Sequence, residues 1–297
     1  MPGKTAHDFD QELLILFDAY VHGGIDRRAF LEKAAKFAVG GVTAAMLLDQ
    51  LSPRFAEAQL VRPDDRRIRQ EYVEFDSPSG YGRGRGYLVL PGAPAGPQPG
   101  VLVIHENRGL NPHIEDIARR IALDGFVAFA PDALFPLGGY PGNEDQARTL
   151  FPQLDQAKTR EDFIAAAGFL RRRPECTGRI GAVGFCYGGG MVNFLATRLG
   201  GDLSAGVPFY GSAPNLEDVP RIKAPLLIQS AEVDERINAR WPDFERALQA
   251  AGVPYERHLY PGTQHGFNNN TTPRYDEAAA TLAWERTIAF LNRHLRT

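Results

Sequence analysis

Arg179-Ile180-Gly181-Ala182-Val183-Gly184-Phe185-Cys186-Tyr187-Gly188-Gly189 joins an apolar run to a Gly-x-Cys-x-Gly turn, and a helical pattern follows at once. The run predicts a buried strand over 179–185 and a helix over 187–199. A reactive side chain at the tip of such a turn sits on strained backbone, and glycines on both sides leave room for the tight strand-to-helix reversal. A thiol there implies covalent acyl chemistry. Serine never fills the central position of a Gly-x-Ser-x-Gly in this chain, so a serine nucleophile is excluded.

Working outward, short apolar runs alternate with longer helical patterns from residue 70 onward, which predicts a mostly parallel sheet wrapped by helices, an α/β fold. Residues 71–76 and 84–90 read as an opening antiparallel pair. Strands follow at 101–105, 126–130, 205–209, 226–230 and 255–260. Asn111-Pro112 opens a helix, with Asn as N-cap and Pro in the first turn, and further helices are expected at about 155–173, 238–251 and 276–295. No internal repeat or low-complexity tract interrupts this order.

The chain has 297 residues, enough for one large domain plus an extension. Hydrophobic residues make up 43% and charged residues 23%, and the formal net charge is −3 with no block of one sign. Nucleic acid and anionic membrane surfaces are therefore excluded as partners. A strand between Cys176 and Cys186 would hold their Cα atoms roughly 23 Å apart, whereas a disulfide tolerates at most about 7 Å. Both thiols are expected to be free, with Cys176 a buried small hydrophobe. The Cys and His spacings match no zinc site, and no cofactor is called for.

Residues 1–58 differ from the rest and support two readings. Asp26-Arg27-Arg28-Ala29-Phe30-Leu31 resembles a twin-arginine export motif, an apolar stretch covers 37–48, and Ala56-Glu57-Ala58 resembles a cleavage site, which together would make the segment a periplasmic leader. Twelve apolar residues are too few to span a bilayer, so integral membrane insertion is not expected. Against a leader stand Asp8, Asp10, Glu12, Asp18 and Asp26, and an apolar stripe of Leu13, Leu14, Leu16, Phe17 and Tyr20 at helical spacing. These fit a retained helical arm of a cytoplasmic protein, able to dock on a partner or a second copy as a homodimer. A charged, Pro-containing linker over 59–69 then leads into a catalytic domain over 70–297.

An elbow nucleophile needs a base, and the base needs an orienting acid. In α/β-hydrolases these follow in the chain order nucleophile, acid, histidine. Asp234 lies just beyond the strand at 226–230, and His265 just beyond the strand ending at 260. Both fall at carboxyl ends of strands, where open α/β sheets place their sites. His265 would deprotonate Cys186 and later protonate the leaving group, with Asp234 fixing its tautomer. His105, His113 and His258 are read as structural or exposed. Glu106, directly after the strand at 101–105, would raise the thiol pKa by repulsion or accept a proton locally. Backbone N–H groups of Asn107 and Tyr187 are placed to form the oxyanion hole.

The segments Gly-Phe-Cys-Tyr-Gly-Gly (184–189) and His-Glu-Asn-Arg-Gly-Leu (105–110), with Pro131-Asp132, Asp234 and His265-Gly266-Phe267 in that order, resemble the dienelactone hydrolase (carboxymethylenebutenolidase) family over about 70–297. The resemblance implies an α/β-hydrolase sheet of about eight strands and a Cys–His–Asp triad on Cys186, His265 and Asp234. It also matches Glu106 to the glutamate that keeps the family's thiol reactive, and the arm to that of a bacterial subgroup. The chain departs from the family where arginines would hold a substrate carboxylate: His265 is followed by Gly-Phe-Asn-Asn-Asn, and no arginine closely follows Pro131-Asp132. Arg108 and Arg274 are the available substitutes, with Tyr210 and Phe267 as further substrate-binding candidates. The expected substrate is a small ester or lactone. Transfer of the acyl group to an alcohol or amine is the alternative on the same elbow, and a non-catalytic interaction protein is the alternative from another class.

Overall fold

The computed structural model describes residues 4–296. Eight strands form one sheet in the order β1-β2-β4-β3-β5-β6-β7-β8. β1 (Ile68–Ser77) and β2 (Gly82–Pro91) are an antiparallel hairpin with Tyr72 opposite Tyr87, and β2 also runs antiparallel to β4 (Val127–Pro131). From β4 onward the ladder is parallel, through β3 (Gln98–Ile104), β5 (Cys176–Phe185), β6 (Ala205–Phe209), β7 (Leu226–Val233) and β8 (Tyr255–Gln264). The central strands are apolar on both faces because both faces are covered. Ile117 and Ile121 of α5 (Pro112–Leu123) and Phe290 and Leu291 of α11 (Glu277–Leu295) pack on one side. Phe163 and Leu170 of α7 (Gln156–Arg171), Leu195 of α8 (Tyr187–Leu199) and Leu248 of α10 (Trp241–Ala251) pack on the other.

Local chemistry fixes the helix starts. Asn111 Oδ1 accepts from the Ile114 N–H, and Asp155 and Asp276 cap α7 and α11 in the same way. Two short helices were not foreseen, α6 (Glu144–Leu150) and α9 (Glu235–Asn238). Each is too short for a periodic apolar stripe, so only the caps Asn143 and Asp234 announce them. β7 and β8 also run past the expected ends at 230 and 260, continuing their pairing through an irregularity between Ala231 and Val233. Both cysteines are free.

Among the described residues the N-terminal segment folds as four α-helices, α1 (Gln11–Val21), α2 (Arg27–Ala34), α3 (Ala44–Leu51) and the single-turn α4 (Phe55–Ala58), with 3-10 turns at Ala6–Asp8 and Ala35–Phe37. Leu13, Leu14, Phe17 and Tyr20 bury their stripe against Phe30, Ala34, Leu47, Leu48 and Leu51, a core separate from those of the sheet. The acidic residues have structural employment. Asp10 caps α1 and Asp26 caps α2, so that Arg27-Arg28 form the first turn of a helix. The apolar stretch over 37–48 is not one helix, because Gly40 and Gly41 adopt φ of 64° and 85° and turn the chain before α3. Among the described residues no helix is long and apolar enough to cross a membrane.

Candidate active site

Cys186 sits at the end of β5 with φ 55°, in the left-handed region that a β-carbon disfavours. The elbow tolerates this because Gly184 and Gly188, two positions to either side, have no side chains to collide. A β-carbon on Gly184 would lie 2.2 Å from the Gly188 carbonyl oxygen, and one on Gly188 would lie 2.2 Å from that of Ile104. The same turn makes Tyr187 the first residue of α8, where N–H groups have no partner within the helix.

The carboxyl ends of β7 and β8 deliver the other members. His265 Nδ1 donates to Asp234 Oδ2 at 2.6 Å, and a carboxylate has no hydrogen to give, so Nδ1 carries the proton and Nε2 faces the sulfur. Both side chains are buried, at 6% and 3% exposure. His265 Nε2 has no hydrogen-bond partner and lies in a cluster whose ligand-type atoms are all within 4.8 Å of one another.

The third member of that cluster is His22, the residue that ends α1 of the arm. Its Nε2 is 3.3 Å from Cys186 Sγ, and its ring meets the His265 ring edge-to-face at 4.8 Å between centroids. His22 Nδ1 donates to the Asp18 carbonyl oxygen at 2.8 Å, with Asp18 Oδ1 at 3.2 Å, so Nδ1 carries its proton toward Asp18. Two carboxylate–imidazole pairs, Asp234–His265 from the sheet and Asp18–His22 from the arm, converge on one sulfur. Sequence reasoning missed His22. Its place on α1, one turn after Asp18, was legible as an i,i+4 pair, but nothing in the sequence says which surface that face meets.

Removal from water opposes ionisation of Cys186, yet His22 and His265 outweigh it and hold the thiol well below its ordinary range. Burial likewise disfavours the His22 cation, while the sulfur and Asp18 push its pKa up to about 10. Burial acts the same way on His265, and the sulfur and Asp234 raise it. The sulfur and the two imidazoles therefore favour one another's charged forms.

Glu106 stands beside this cluster. Burial raises its pKa, and repulsion from the Cys186 thiolate raises it further. Asn269 Nδ2 donates to Glu106 Oε2 at 3.1 Å. An asparagine in the stretch after His265 thus engages the glutamate where the family pattern led us to expect an arginine. Arg274 and Arg108 both reach the site, and both are occupied by the arm. Arg274 Nη1 is 3.1 Å from Asp18 Oδ1. Arg108 Nη2 and Asn107 Nδ2 donate to the Val21 carbonyl at 2.7 Å and 3.1 Å.

Tyr210 is buried against the His265 ring at 4.9 Å between centroids, with φ 36° and no partner for its hydroxyl. Phe267 is fully buried among Phe209, Tyr210 and Tyr260 and does not border the cavity at the sulfur. His105 is buried, and desolvation lowers its pKa to about 4. Its Nε2 accepts from the Ala133 N–H, a structural role. Asp132 accepts from the Leu134 and Leu110 N–H groups and so ties the 107–110 loop to the end of β4. With the arm seated, the cavity at the sulfur has a volume of about 50 Å³. A larger cleft of about 640 Å³, between α1 and the ends of β7 and β8, shares His265 and Arg274 with it.

Residues 85–295 match the model of the dienelactone hydrolase family. The chain belongs to that family. Residues 1–37 match a second model, described as YqhI-like. The "Putative hydrolase fragment YghX" of Escherichia coli K12 is 52% identical over 114 residues, 38% of this chain and 97% of that protein. Protein usf of Aquifex pyrophilus is 36% identical over 224 residues, 71% of this chain and 94% of its own length. Among solved structures, a "Putative Dienelactone Hydrolase" from Klebsiella pneumoniae subsp. pneumoniae MGH 78578 superposes with a TM-score of 0.67 at 28% identity, covering 76% of this chain and 99% of its own. This dienelactone hydrolase family member is a hydrolase of the α/β-hydrolase fold, and its likeness to the solved relative stops short of about a quarter of the chain.

Proposed function

We propose that the chain hydrolyses small carboxylic esters or lactones through a thioester formed on Cys186. The thiolate attacks the carbonyl carbon, a C–S bond forms, and the leaving oxygen departs with the C–O electron pair and a proton. Water then attacks the thioester and releases the acid and the thiolate. His265, oriented by Asp234, is the base for the thiol, and the N–H groups of Asn107 and Tyr187 are the oxyanion donors. The observation that carries this reading is the bonded Asp234–His265 pair directed at a cysteine on a positive-φ elbow.

Arg274 and Arg108 are the groups proposed to receive a substrate's carboxylate, since each already holds an oxygen acceptor supplied by the arm. Glu106 is proposed to act by repulsion, which opposes formation of the thiolate but makes it more basic and a stronger nucleophile once formed. Residues 70–297 are proposed as the catalytic domain and 1–58 as a retained arm joined by 59–69.

Cys186→Ala is expected to lower p-nitrophenyl acetate turnover by more than about 10³-fold while the circular dichroism spectrum is unchanged. Turnover equal to that of the wild type would overturn the assignment.

A further inference from the structure

We infer that His22, carried to the sulfur by the N-terminal arm and oriented by Asp18, is a second catalytic imidazole that serves the leaving group. The inference deepens the thioester reading and rests on it.

Four observations support it. His22 Nε2 is 3.3 Å from Sγ, within reach of whatever atom departs from a carbonyl attacked there. Asp18 fixes the tautomer and orientation of His22 through its backbone carbonyl at 2.8 Å and its carboxylate at 3.2 Å, as the Asp234 carboxylate fixes those of His265, the arrangement that an acid–base imidazole requires. The arm is clamped onto the site by three further contacts: Arg274 to Asp18, and Arg108 and Asn107 to the Val21 carbonyl. The two residues that follow Val21 and His22 in chain order, Gly23 and Gly24, leave the helix in a turn, so His22 is held at its last bonded turn rather than on a free loop.

One contact opposes a cation at this place: Arg236 Nη2 is also 3.3 Å from His22 Nε2. Arg236 is more open to solvent than His22, and the thiolate and Asp18 lie on the other sides of the ring. The balance favours a protonated His22, whose pKa is pushed up to about 10.

The proton traffic balances without any further reagent. As the thiolate forms its C–S bond and the C–O bond breaks, the leaving oxygen takes the Nε2 proton of His22, which becomes neutral. Neutral His22 then takes a proton from the water that attacks the thioester, and the C–S pair returns to sulfur as thiolate. The cavity of about 50 Å³ at the sulfur shares His265 and Arg274 with the cleft of about 640 Å³ beside α1, which offers an ester room next to the same imidazoles.

The test compares two acetate esters on the full chain. p-Nitrophenolate leaves without help, whereas ethoxide needs a proton. His22→Ala should lower kcat/KM for ethyl acetate by about 10²-fold, in the range of a lost general acid, and that for p-nitrophenyl acetate by less than about 3-fold. Asp18→Asn should give the same pattern more weakly, and added imidazole should restore ethyl acetate turnover to His22→Ala. Equal losses on both esters would overturn the inference in favour of a structural role. Equal gains would overturn it in favour of an arm that merely covers the site. Should His22→Ala fail to fold, Asp18→Asn and His22→Gln read the same ratio. Survival of activity in Cys186→Ala would instead remove the thioester reading itself, whatever the His22 variants do.

Discussion

At the scale of single residues the chemistry is decided by charges around one sulfur. Burial alone would push the Cys186 thiol up, and two imidazoles reverse the sign. Alkylation of Cys186 by iodoacetamide should therefore continue well below pH 8.5, where an ordinary thiol is mostly protonated. His22→Ala removes a cation that favours the thiolate, so the midpoint of the alkylation profile should move up. Glu106→Gln removes a repulsion, so the midpoint should move down; a shift in the same direction for both variants would contradict the charge assignment. Asp234→Asn keeps the shape of the site but loses the acceptor that holds the proton on His265 Nδ1. It should lower kcat by about 10²–10⁴-fold with little change in stability, measured by initial rates beside a urea titration. Cys186, Asp234, His265 and Glu106 could be proposed from sequence because each follows a strand end in a recognisable order. Asn269 could not, because an asparagine in a polar loop carries no sign of which side chain it will meet.

At the scale of elements, the β5–α8 elbow and the helical arm are built on different principles. The elbow depends on the absence of side chains. Gly188→Ala would bring a β-carbon to 2.2 Å from the Ile104 carbonyl oxygen and 2.7 Å from that of His105, both backbone atoms that cannot swing aside. A loss of about 1–3 kcal/mol is expected in a urea titration, together with loss of activity, because the shift falls on the strand end that supplies Glu106. The arm depends instead on a small apolar core of its own. Phe30 is fully buried there and meets Phe17 and Tyr20. Phe30→Ala should cost the arm about 3–5 kcal/mol, enough to loosen it. Limited proteolysis should then cut within residues 11–51 while the midpoint for unfolding of the sheet stays in place. The acidic residues read from sequence only as a poor fit to a leader, whereas Asp10 and Asp26 serve as helix caps, and Gly40 and Gly41 explain why the apolar stretch over 37–48 was misleading: its composition suits one hydrophobic helix, its backbone does not form one.

At the scale of the whole molecule, the arm and the sheet converge on one candidate active site. The arm contributes a carbonyl, a carboxylate and an imidazole to groups that the sheet alone would leave facing solvent. A segment with that many contacts is proposed to remain on the mature protein. Intact-mass measurement of protein purified from its native host should give the full 32.7 kDa; a mass lacking residues 1–58 would refute retention and would also remove His22 from the reaction. The sequence by itself determined the sheet, the elbow and the placing of Cys186, Asp234 and His265 at successive strand ends, because strand periodicity, bracketing glycines and strand-end positions are local or sequential properties. Only the tertiary structure decided that His22 meets Cys186, 164 positions away, that Asn269 engages Glu106, and that Arg108 and Arg274 are taken by the arm. Those pairings depend on which face of one folded unit docks on another, and docking is settled by shape and charge across a surface that no run of neighbouring residues encodes.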